Sequence, residues 1–119
     1  AITSFDEKFL TKVLDIVEKY IADEKFSIDQ LSRESGYSNM QFYRKIKALT
    51  GQTPSQFLRT MRLKRAAELL RKKSDNVTQI AYSVGFASVS YFNKSFKEQF
   101  GVTPGQFSEQ NSTTTIKDS

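Results

Sequence analysis

Ten basic side chains crowd the middle of this chain: Arg44, Lys45, Lys47, Arg59, Arg62, Lys64, Arg65, Arg71, Lys72 and Lys73. Within that span only Glu68 opposes them. The chemistry open to such a block is recognition of a polyanion. Catalysis has little to work with. The 119 residues include no cysteine and no histidine. That removes disulfides, thiolate zinc sites, cysteine nucleophiles and imidazole acid–base chemistry together. No carboxylate pair, nucleophile with a base, or metal-ligand cluster stands out. No enzyme activity, no cofactor and no metal are expected. The formal net charge is +5 and the pI about 9.5. Residues 1–24 hold six acids and three lysines, so the rest of the chain carries a net +8. A solubilising surface has the same composition, so charge alone does not decide the partner.

An internal duplication does more. Ile28-Asp29-Gln30-Leu31-Ser32-Arg33-Glu34-Ser35-Gly36-Tyr37 matches Val77-Thr78-Gln79-Ile80-Ala81-Tyr82-Ser83-Val84-Gly85-Phe86 in pattern. Further on, Phe42, Lys47, Gly51, Thr53, Pro54, Gln56 and Phe57 recur as Phe92, Lys97, Gly101, Thr103, Pro104, Gln106 and Phe107. The offset is 49 and then 50, with one residue added between Gly85 and Phe92. Two copies are too few for a solenoid. They form two tandem supersecondary units.

Each unit reads as helix, tight turn, helix. Ser27 with Gln30 is a capping-box pattern, and Asn76 is the matching cap. A small residue (Ser32 or Ala81) lets the next helix cross closely. Gly36 or Gly85, four residues on, supplies the left-handed conformation that reverses the chain. Ser38 caps the following helix, with Phe42, Ile46 and Leu49 inward and Asn39, Met40, Tyr43, Arg44 and Lys47 outward. Ser88 caps its counterpart, with Phe92, Phe96 and Phe100 inward and Val89, Ser90, Asn93, Lys94 and Lys97 outward. Each stops at a glycine, Gly51 or Gly101, followed by Thr-Pro as N-cap and first helical residue. Residues 6–23 read as an amphipathic helix capped by Asp6, and residues 54–72 as a long connecting helix. At about 1.5 Å per residue the connector is near 28 Å. The tail from Ser108 is rich in Ser, Thr, Asn and Gln and is expected to be disordered. No apolar run approaches the roughly 20 residues of a membrane span, and no secretory leader opens the chain. The cytoplasm is the expected location.

The run Ile80-Ala81-Tyr82-Ser83-Val84-Gly85-Phe86, Ser88, Ser90-Tyr91-Phe92, Phe96-Lys97, Phe100-Gly101-Val102-Thr103-Pro104 resembles the DNA-binding domain of the AraC/XylS family of bacterial transcription regulators. Met61-Arg62-Leu63-Lys64-Arg65-Ala66 and Leu69-Leu70 resemble its linker helix. Arg44 through Gly51 is similar to a variant found in output domains of hybrid two-component sensors. The resemblance covers about residues 8–108.

It implies an all-α fold of about seven helices, with two helix-turn-helix subdomains joined by a long linker helix. The domain would occupy residues 1–107, with the units at about 27–50 and 76–100 and the linker at about 54–72. Residues 108–119 would form the tail. By position, Asn39, Met40, Tyr43, Arg44, Val89, Ser90, Asn93 and Lys94 would meet base edges. Ser38, Lys47, Arg62, Ser88 and Lys97 would hold phosphates. Val89 offers no hydrogen bond and Ser90 is short, so the second unit would read mostly a thymine methyl and backbone shape. The implied partners are double-stranded operator DNA, RNA polymerase and, in the intact protein, a receiver domain of the same chain. This domain itself would make no membrane contact, although a hybrid sensor is anchored as a whole. The alternative is a protein-interaction module docking RNA polymerase or a regulatory domain. Mixed charge on both outward faces would favour it, yet no acid lies between Asn39 and Lys47 or between Val89 and Lys97.

Overall fold

Apolar residues spaced three and four apart, bounded by hydroxyl or amide caps and by glycine, produce helices throughout. The computed structural model describes residues 3–110. Its helices are α1 (Ser4–Tyr20), α2 (Ile28–Ser35), α3 (Asn39–Thr50), α4 (Pro54–Lys72), α5 (Val77–Ser83) and α6 (Val89–Phe100). A seventh, α7, runs over residues 104–110. No strand occurs among the described residues. None of their helices is long and apolar enough to cross a membrane.

Three expectations need correction. Asp6 does not cap α1: Thr3 does, accepting from Asp6 N, while the Asp6 carboxylate accepts back from Thr3 N at 3.3 Å. The helix therefore starts two residues earlier. It also ends at Tyr20, because Asp23 organises a turn, its N–H donating to Tyr20 O at 2.9 Å and its carboxylate accepting from Lys25 N at 2.9 Å. That turn brings Phe26 into the core beside Ile21. At Ser27 only half of the capping box forms. Ser27 Oγ accepts from Gln30 N, but the Gln30 amide donates to Glu34 Oε2 at 3.0 Å. Finally, residues 108–110 of the expected tail are helical. Lys73 Nζ donates to both Ser108 O and Ser108 Oγ at 2.9 Å. The rest of that tail lies outside the described residues.

The chain divides into two compact units, Ala1–Met61 and Arg62–Ser119. In the first, Phe9, Val13 and Val17 of α1 close over Leu31, Phe42, Ile46, Phe57 and Leu58. In the second, Leu63, Ala66, Ala67 and Leu70 of α4 pack with Ile80, Ala81, Val84, Phe86, Phe92 and Phe96. The inward stripes anticipated for α3 and α6 are the buried ones, and Leu49 and Phe100 pack at the margins. The small residues do what close helix crossing demands: Ser32 is 1% exposed and Ala81 0%.

Candidate nucleic-acid interface

The two turns are built alike. Gly36 sits at φ 91° and Gly85 at φ 92°, in the left-handed region where a Cβ is strained. Around Gly36, Gly36 N donates to Arg33 O and Tyr37 N to Ser32 O. Forty-nine residues on, Gly85 N donates to Tyr82 O and Phe86 N to Ala81 O. Each turn thus closes the carbonyl end of one helix and aims the next. Ser38 Oγ accepts from Gln41 N and Gln41 Oε1 accepts from Ser38 N, a complete capping box. Ser88 Oγ accepts from Tyr91 N. In both serines the hydroxyl proton is left over from the cap and can be donated to a phosphate.

With its core side held by Phe42 and Ile46, α3 presents Met40, Tyr43, Arg44 and Lys47 to solvent. Met40 is 65% exposed and Tyr43 48%. These are large apolar surfaces on a helix whose core side is already satisfied, so they are free for contact. Lys47 Nζ lies 3.3 Å from Gly51 O, at the end of its own helix. Lys45 is drawn off the basic face: its Nζ is 3.2 Å from Asp6 Oδ1 and 5.2 Å from the Phe9 ring centre. Arg71 likewise covers the Phe107 ring, 5.3 Å from its centre, so part of the C-terminal charge cluster of α4 serves packing. Arg62 is half-buried on α4.

On α6, Ser90, Asn93, Lys94 and Lys97 are exposed, as anticipated. Val89 differs: it is half-buried and packs against the second core. Tyr82 and Tyr91, given no role by sequence, are each 48% exposed, and Tyr91 leans on Phe86 with ring centres 5.9 Å apart.

Asn39 is exposed, but its amide is engaged. Nδ2 donates to Asp29 Oδ1 at 2.6 Å and Oδ1 accepts from the Ser32 hydroxyl. Asp29 and Ser32 were not singled out by sequence as site residues. The available signal was the repeat itself, since Ala81 in the second copy shows that packing alone does not require the hydroxyl at Ser32.

A family model for a helix-turn-helix domain matches residues 31–110. Among solved structures, the fold superposes on a Chromobacterium violaceum transcriptional regulator described as having an AraC-type DNA-binding domain. There the TM-score is 0.83 at 29% identity, over 92% of this chain and 96% of that one. The chain belongs to the AraC-type helix-turn-helix family. The AraC-type domain is also 45% identical over 106 residues to "Histidine kinase P4" of Formosa agariphila, covering 89% of this chain. It spans 8% of the length of that kinase and about a third of the length of two other curated regulators. A third likeness is the DNA-binding domain of the global transcriptional factor AdpA, solved in complex with a target DNA. It matches at TM-score 0.77 and 27% identity over 85% of this chain and 90% of that one.

Proposed function

We propose that this AraC-type domain binds double-stranded DNA sequence-specifically, with α3 and α6 as its recognition helices in adjacent major-groove segments. The observation that carries the reading is the outward face of α3. Met40, Tyr43, Arg44 and Lys47 stand exposed there with no acid among them, on a helix fixed by a capping box and a left-handed glycine turn. Arg44 reads a guanine through its two-pronged guanidinium. Met40 and Tyr43 supply apolar and hydroxyl contacts to neighbouring bases. Ser38, Lys47, Arg62, Ser88 and Lys97 hold phosphates. On α6 the base-facing set is Ser90, Asn93 and Lys94, with Val89 offering only its outer methyl surface. The AdpA complex supports the reading by likeness.

The similarity to a histidine kinase supports a place as the output domain of a larger two-component regulator. A receiver domain of the same polypeptide and RNA polymerase are then its protein partners, and the bacterial cytoplasm its place of work. One chain carries two different recognition helices, so its site is an asymmetric pair of subsites.

Selection of genomic fragments with the 119-residue chain tests this. The expected motif is two unlike half-sites. Inserting about 5 base pairs between them turns one subsite to the far side of the duplex, since a turn takes roughly 10–10.5 base pairs, and affinity should drop to that of a single unit. Enrichment of no sequence would overturn the proposal. Equal binding to both spacings would remove the two-groove part.

A further inference from the structure

Asn39 opens α3, and α2 grips both ends of its amide. Asp29 Oδ1 accepts from Nδ2 at 2.6 Å, and the Ser32 hydroxyl donates to Oδ1. Ser32 is buried, and its oxygen also lies 3.1 Å from Asp29 O. An ionised carboxylate only accepts, so Asp29 dictates which end of the amide it meets, and the amide cannot flip without losing that bond. A primary amide offers two N–H donors and two acceptor sites. The clasp uses one of each, and one of each remains on an exposed side chain. Either one can meet a single base atom in the major groove, the N–H an acceptor such as a purine N7 or the oxygen an amino group. The second unit has no counterpart: Thr78, Ala81 and Val89 occupy the positions of Asp29, Ser32 and Asn39.

We propose that Asp29, with Ser32, is a positioning residue that locks the Asn39 amide in one orientation and so sets the base preference of α3 at the base pair Asn39 meets. The inference rests on the DNA-binding reading above. Loss of Asn39 strands no buried donor, because the Ser32 hydroxyl keeps Asp29 O as its acceptor. Variants of the clasp should therefore fold.

The test measures base preference at every position of the selected site for the 119-residue chain and its variants. Asn39→Ala should flatten the preference at one position. Asp29→Asn keeps the size but can present either nitrogen or oxygen, so the lock is lost. It should flatten the same position about fivefold, the scale of one hydrogen bond, while thermal unfolding stays nearly unchanged. The double variant should be no flatter there than Asn39→Ala alone, because Asp29 acts through Asn39. Thr78→Ala in the second unit should leave every base preference in place. An unchanged preference in Asp29→Asn would overturn the proposal. So would an equal further loss in the Asn39→Ala background, an Asn39→Ala effect at no position, or uniform weakening on all sequences. If the parent chain selects no DNA sequence, the DNA-binding reading has failed and the clasp proposal falls with it; selection by the parent without the clasp effects refutes the clasp alone.

Discussion

The two helix-turn-helix units share a backbone plan and differ in what fastens it. In the first, α2 meets the start of α3 through a polar clasp of Asp29, Ser32 and Asn39. In the second the same junction is apolar, with Ala81 buried and Val89 packed on the core. The cores differ in how their rings are arranged. The first buries Phe9, Phe26, Phe42 and Phe57, with separate ring contacts of Phe9 to Tyr37 and Phe42 and of Tyr20 to Phe26. The second strings Phe86, Phe92, Phe96, Phe100 and Phe107 into successive ring contacts at 4.5–5.8 Å. A left-handed glycine and a small residue suffice to form the turn in both. The polar detail of the first unit is therefore surplus to folding, and the natural place to look for discrimination. The second unit has spent its junction on packing.

Core truncation should separate the units most. Phe42→Ala and Phe92→Ala each empty a fully buried site and should cost about 3–5 kcal/mol. Phe92 touches two rings and Phe42 one, so Phe92→Ala should lie at the upper end, as read by denaturant unfolding. Equal losses would show that the aromatic string adds nothing.

Next comes DNA discrimination. Arg44→Ala should cost about 1–3 kcal/mol on the best site and little on random DNA. Lys97→Ala, which removes a phosphate-facing point charge rather than a fork, should weaken both alike. Competitive gel shifts with the two DNAs measure it, and reversed behaviour would move the specificity to the second unit.

The turns should respond less. Valine at Gly36 or Gly85 places a Cβ at positive φ and should cost roughly 1–2 kcal/mol or more. Gly36 is exposed and Gly85 buried, so Gly85→Val adds overpacking to strain and should show the greater drop in melting temperature. Equal drops would mean that backbone strain is the whole effect.

The smallest effect is expected in acid. Hydrogen bonds from Thr3, its side chain first and then its backbone, together with Lys45, hold the Asp6 carboxyl below its ordinary value of 3.8. A lowered folded value means that the stabilisation is complete above the ordinary range and is lost as pH falls through the lowered one. Asp6→Asn should therefore reduce the loss of stability as pH falls from about 5 through the ordinary value of 3.8 and below, measured by urea midpoints. An unchanged acid slope would show that the cap and the ion pair contribute nothing to the first unit.

Much of the fold was legible because its signals are local. Caps at Ser27, Ser38, Asn76 and Ser88, the glycine stops and the Thr-Pro starts each depend on residues within one turn of one another, and the repeat showed each pattern twice. Boundaries slipped where a neighbouring residue competed for the same role, as Thr3 did with Asp6 at the start of α1. For the candidate site, spacing from Phe42 and Phe92 identified the outward residues of α3 and, Val89 apart, of α6, because helical periodicity alone fixes a face.

What the sequence by itself determined is thus the set of helices, the two turns, and the basic outward faces of α3 and α6. Only the tertiary structure decided how individual side chains are used once the faces meet. Lys45 leaves the basic face for Asp6, thirty-nine residues away, and Val89 turns into the core. Asn39 is claimed by Asp29 and Ser32 across the turn. Periodicity reports the direction of a side chain from its own helix axis. Hydrogen bonds and packing depend on which atoms another helix brings within about 3 Å, and that distance exists only after the chain has folded.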